Sequence, residues 1–102
     1  MLTITLLAAA GLLLAQGNAQ RGARLAATEC GSSCHATQPS QDRGMGPDLH
    51  GLFKREKLRN GKPVTEDNVR LQIDKGGNGM PAFGDLLSAK DRADILAYLR
   101  TL

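Results

Sequence analysis

The residues with the most chemistry in this chain lie at six adjoining positions, Cys30-Gly31-Ser32-Ser33-Cys34-His35. Two cysteines with a histidine directly after the second form the core of a haem-attachment site. Each thiol adds to a vinyl group as a thioether, and the adjoining histidine is then delivered to the iron. The usual motif has two residues between the cysteines, and this chain has three. On a helix, positions three apart differ by about −60° and positions four apart by about +40°. Both spacings leave the sulfurs on one face, so a helical turn of four is expected to present both thiols to one porphyrin edge. A second feature lies downstream in Gly79-Met80-Pro81-Ala82-Phe83. A core methionine belongs in a periodic apolar run, but Met80 stands between glycines and a proline. Histidine with a loop methionine describes His/Met ligation of haem iron, which raises the reduction potential and suits electron transfer.

Other readings of these residues stay open at this point. Cys30 and Cys34 could form a local disulfide in an exported domain. With His35 and His50 they could supply a zinc site, which needs four such ligands. Neither reading uses Met80. Met45 also sits between glycines but is close to His35 in sequence, and His50 is the other nitrogen ligand on offer. The carboxylates are scattered, and no Ser/His/Asp grouping points to hydrolysis, so the chain reads as an electron carrier rather than an enzyme.

The elements that must position these residues read as helices. Gln20 to Cys30 forms a short helix leading into the cysteines, with Gly22, Leu25 and Ala26 on one small apolar face. Ala36 to Gly46 is polar and punctuated by Pro39, Gly44 and Gly46, hence a loop. Lys54 to Pro63 is a basic loop carrying Lys54, Arg55, Lys57, Arg59 and Lys62. Thr65 is placed as an N-cap with Glu66 and Asp67 in the first turn, Val69 and Ile73 share a face, and Gly76 ends that helix. Ser88 with Asp91 resembles a capping box. It opens a last helix whose stripe is Ile95, Leu96, Leu99 and Leu102, flanked by Tyr98. No stretch alternates with period two long enough for a strand. The expected fold class is all-α, three to four helices with long loops.

The chain has 102 residues, room for one small domain. Its first charged side chain is Arg21, after an apolar run from Leu6 to Ala15 broken by Gly11. Gly17 and Ala19 sit as the −3 and −1 positions of a signal-peptidase site, so residues 1–19 read as a leader and 20–102 as the domain. The apolar run is short for a membrane span of ~20 residues; an uncleaved leader would instead act as an anchor. A domain of this size has a marginal core and usually needs a staple. Aromatic residues make up 3% of the chain, which deepens the shortage, and a buried porphyrin would supply the missing apolar volume. The net charge of +3 and pI near 9.2 favour encounter with acidic protein surfaces. They do not argue for nucleic acid, since no aromatic residues are interleaved with the basic ones.

Taken in order, these segments resemble a small single-haem class I c-type cytochrome. Gly22, Leu25 and Cys30 match the family's first helix, and Cys34-His35 its second cysteine and proximal ligand. Gly46-Pro47-Asp48-Leu49-His50-Gly51 resembles the segment that follows. Gly79 to Gly84 matches the distal-ligand loop, and Asp94 to Arg100 the closing helix. The departures are the extra residue between the cysteines and Ala26, where the family often carries an aromatic. The resemblance implies one haem c per chain, bound through Cys30 and Cys34, with His35 proximal and Met80 distal. It implies that the Pro47 carbonyl accepts a hydrogen bond from His35, fixing its tautomer. It also implies that Gly22 and Tyr98 lie where the first and last helices cross. The function so implied is exported electron transfer, in the periplasm or an equivalent compartment. The partners would be redox proteins with acidic docking surfaces, with a membrane only if the leader stays attached. A subunit serving one periplasmic dehydrogenase or oxidase is the alternative.

Overall fold

A computed structural model describes residues 17–31, 34–37 and 44–102. The expected leader through Gln16, the residues Ser32 and Ser33, and loop positions 38–43 fall outside the described residues. Among the described residues there are three α-helices, α1 (Ala19–Glu29), α2 (Glu66–Lys75) and α3 (Ala89–Leu99), and a 3₁₀ turn at Leu52–Lys54. Among the described residues there is no β-strand, only isolated bridges at Lys57–Pro63 and Gly77–Met80. No helix among them is long and apolar enough to cross a membrane.

The helices start where the sequence supplies caps. The Thr65 side chain accepts from Asn68 N, and Ser88 and Asp91 make a complete capping box. Gly76 closes α2 at φ +66°, a left-handed conformation that favours glycine. Helix α1 begins one residue earlier than expected. Its N-cap is Asn18, whose side chain accepts from Arg21 N.

Helices α1 and α3 pack against each other through Gly22. A Cβ at that position would lie 1.8 Å from the Asp94 carbonyl oxygen and 2.9 Å from Tyr98 Cβ. The two backbones therefore touch, and only glycine fits. Ala26 is fully buried, a small residue on the same face. Beneath the crossing lies the core: Leu52, Val69, Ile73, Leu87, Ile95, Leu96 and Leu99. It draws on the 3₁₀ turn, α2, α3 and the segment between the two helices, and Met80, Phe83, Phe53 and Tyr98 pack on its margin. At the same crossing Asp94, 1% exposed, is paired with Arg21 at 2.7 Å.

Candidate haem site

The histidine is fixed by the loop that follows it. Gly46 N donates to the Cys34 carbonyl at 2.7 Å and Leu49 N to the Ala36 carbonyl at 2.8 Å. These bonds lay residues 46–49 alongside 34–36. His35 Nδ1 then lies 2.7 Å from the Pro47 carbonyl oxygen. A carbonyl only accepts, so Nδ1 carries the proton and donates. The other ring nitrogen, Nε2, keeps its lone pair for a metal. The contact expected of Pro47 is present. Gly46 makes it possible, because a Cβ there would sit 2.5 Å from His35 Cε1. The glycine lets the loop lie over the imidazole edge, and Pro47 supplies the acceptor.

Helix α1 stops at Glu29, with Cys30 as its C-cap. His35 N then donates to the Cys30 carbonyl at 3.0 Å, and Cys34 N reaches the Gly31 carbonyl at 3.4 Å. The backbone thus closes His35 onto Cys30. Ser32 and Ser33, through which the expected helical turn of four would run, lie outside the described residues. No disulfide joins Cys30 and Cys34. Cys30 is buried, and burial first, then the Glu29 and Cys34 charges, pushes its thiol up to about 11. Among the described residues no three His, Cys, Asp or Glu side chains converge on a metal position, so the zinc arrangement is not assembled.

Met80 is positioned by a tight turn. Gly77 and Met80 exchange both backbone hydrogen bonds, at 2.9 and 3.1 Å. Between them Asn78 and Gly79 have φ +53° and +90°, the signs a type I′ turn demands of its central pair. A Cβ on Gly76 would lie 2.3 Å from the Met80 carbonyl, so the turn folds directly onto the end of α2. The Met80 side chain is half-buried against the core and its sulfur lies 3.6 Å from Gln72 Nε2, which donates to it. Met45 by contrast is 83% exposed, and His50 is exposed, its amide held by Asp48 at 2.8 Å. Burial therefore distinguishes Met80 from Met45.

The profile of the family described as "Cytochrome C oxidase, cbb3-type, subunit III" matches residues 17–99. Cytochrome c of Arabidopsis thaliana is 30% identical over 100 residues, 82% of this chain and 88% of that protein. Cytochrome c of Cochliobolus lunatus is equally similar, over 82% of this chain and 92% of its own. That of Gibberella zeae is 30% identical over 103 residues, 85% of this chain and 96% of its own. The chain belongs to the cytochrome c family. As a cytochrome c it is an all-α electron carrier with covalently bound haem c, not an enzyme, and it works with redox partner proteins.

The residues on hand suit that group. The imidazole is locked with one nitrogen available, two cysteines precede it in sequence, and a soft thioether is held half-buried by a hydrogen bond. Two parts of this cytochrome site were not singled out from sequence. Gln72 stands three residues after Val69, on the flank of the buried face of α2, so a polar side chain there was the available signal. Gly46 was read as a loop glycine, and nothing in sequence shows that it lies against His35.

Proposed function

We propose that this cytochrome is an exported electron carrier in which Cys30 and Cys34 hold haem c through thioether bonds, His35 is the proximal ligand and Met80 the distal one. The observation that carries this reading is the 2.7 Å contact of His35 Nδ1 with the Pro47 carbonyl. It fixes the tautomer and aim of the imidazole and makes the ligand more basic, as the outer partners of metal-bound histidines do. Haem supplies the one-electron couple. The chain supplies two filled axial positions, an apolar border and a charge that steers encounter. With both positions filled, no substrate reaches the metal.

Export is supported by the apolar run before Arg21 and the small residues after it. Acidic docking surfaces on the partner are supported by the net charge of +3 and by the exposed loop carrying Lys57, Arg59 and Lys62. Arg55 is otherwise engaged: its guanidinium donates to the Asp48 and His50 carbonyls at 2.7 Å and braces their turn. A second reading, a subunit serving one terminal oxidase, is favoured by the family description matched over residues 17–99.

Met80→Ala tests the ligand set. The variant should keep its covalent haem, lose potential and bind carbon monoxide in the reduced state, because a soft donor has left the iron. An unchanged spectrum and potential would move the distal ligand elsewhere. Docking is tested by stopped-flow reduction at several ionic strengths. Rates should fall as salt shortens the Debye length below roughly 10 Å, and Lys57→Glu with Arg59→Glu should flatten that dependence. Parallel salt curves for wild type and the double variant would take this loop off the docking surface.

A further inference from the structure

The sequence offers two overlapping places where small residues occupy the −3 and −1 positions of a leader-peptidase site. One is Gly17-Asn18-Ala19, which cuts before Gln20. The other is Ala15-Gln16-Gly17, which cuts before Asn18. The fold treats them differently. Asn18 makes three hydrogen bonds that belong to the domain. Its side chain accepts from Arg21 N at 3.0 Å, capping α1. Its carbonyl accepts from Gly22 N at 2.9 Å, the residue at the helix crossing. Its backbone nitrogen donates to Asp94 Oδ1 at 2.7 Å. A cut before Gln20 removes all three, leaves α1 without its cap and withdraws a donor from a carboxylate that is 1% exposed.

We propose that the leader is removed between Gly17 and Asn18, and that the α-amino group so formed pairs with Asp94. In that step water hydrolyses the Gly17–Asn18 amide. The leader leaves with a carboxylate on Gly17, and the Asn18 nitrogen takes up protons to become an ammonium. That nitrogen is the atom already 2.7 Å from Asp94 Oδ1. A neutral hydrogen bond to a buried carboxylate thereby becomes a charge-assisted one, of roughly twice the strength. Arg21 at 2.7 Å and Lys90 at 3.8 Å border the same carboxylate, on its other oxygen, and Asp91 shares Arg21. Cleavage acts on the extended precursor, so burial of this region in the fold does not hinder it. The family match beginning at residue 17 agrees with a domain that starts before Gln20.

The inference rests on the export reading, and one experiment separates the two. The full precursor is produced, with its own leader, in a Gram-negative host equipped for c-type haem attachment. The intact mass and N-terminal sequence of the red protein are then read. Asn18 as first residue, with one haem, is the expected result. A first residue of Gln20, or any other cut, overturns this inference and leaves export standing. An uncut chain that carries haem overturns this inference and leaves export with an anchor, and an uncut chain without haem overturns both. Pairing is read by labelling the α-amine with an amine reagent at neutral pH, using lysine labelling as internal reference. Asp94→Asn keeps an acceptor and removes the charge, and should label several-fold faster than wild type. Equal rates would overturn the pairing.

Discussion

At the Met80 sulfur two electron pairs are available, and Gln72 claims one of them. Its amide nitrogen lies 3.6 Å from Sδ, while its Oε1 accepts from Asn60 Nδ2 at 3.4 Å. The amide is therefore oriented from both ends, nitrogen toward the sulfur. With Met80 on the iron as proposed, a donor on the remaining lone pair draws density from the thioether and disfavours the ferric state more than the ferrous. Gln72→Leu keeps the bulk and removes the donor. Its reduction potential should fall while its covalent haem and spectrum type persist, and the reduced protein should admit carbon monoxide more readily as Met80 loosens. An unaltered potential would reduce Gln72 to packing. Voltammetry on wild type and variant makes the comparison, with Gln72→Asn as a shorter donor control. At this scale the sequence was informative about atoms that must be of one type. Cys30, Cys34, His35 and Met80 stand out because no common fold requirement puts those residues at those positions. Pro47 entered through resemblance. Gln72 and Gly46 did not stand out, since their roles are contacts between segments distant along the chain.

Elements carried their own signals at their ends. Thr65, Ser88 with Asp91, and Gly76 each do at α2 and α3 what their side-chain chemistry favours. The end of α1 was less legible. Cys30 continues the helical pattern in sequence, yet it is the C-cap, and its carbonyl accepts from the His35 amide rather than from a further helical turn. That bond depends on the path of the following loop, which no local propensity encodes. The turn carrying Met80 was legible as glycine-rich, and its Asn78-Gly79 pair has the residue types a type I′ turn selects. What the sequence did not reveal is how closely this turn meets α2. Gly76→Ala tests that contact. Its positive φ strains any L side chain, and the new Cβ would stand 2.3 Å from the Met80 carbonyl. Strain and overpacking together should cost on the order of 1–3 kcal/mol, lowering the melting temperature by several degrees. The same shift displaces the Met80 backbone, so carbon monoxide binding should rise in parallel. Gly77→Ala provides the contrast. Its φ is also positive, but nothing lies within 4 Å of the added Cβ. If Gly76→Ala and Gly77→Ala lose the same stability, the close approach at Gly76 contributes nothing beyond backbone strain.

The whole molecule is joined at the crossing of its first and last helices, and that junction is charged as well as apolar. Gly22 and Tyr98 were expected there, and the glycine packs against the Asp94 carbonyl and Tyr98 as the resemblance implied. Asp94 was read only as part of the closing helix. A carboxylate beside Ile95 in sequence does not disclose that its partner is Arg21, 73 positions away. Burial by itself pushes the Asp94 carboxyl upward. The Arg21 guanidinium, the Asn18 amide and the Lys90 charge outweigh that effect and hold it below the ordinary carboxylate value. Asp91 is also depressed, first by its hydrogen bond from the Ser88 amide and then by Arg21. A carboxylate with a lowered folded value contributes stability that is complete above its unfolded pKa, about 3.9. That contribution is lost as pH falls through the folded value. The helix crossing should therefore loosen in acid, below about pH 4, while staying intact at neutral pH. Acid also perturbs the haem surroundings, so the wild-type curve alone would not isolate the crossing. Asp94→Asn does, because it leaves the haem ligands untouched. Its melting temperature should lie below wild type at pH 7, and the two curves should converge as the solution is acidified. The measurement is thermal unfolding followed by helical circular dichroism from pH 7 down to pH 2, with haem absorbance recorded alongside. A constant gap between the curves at every pH would mean that the Asp94 charge does not hold the two helices together.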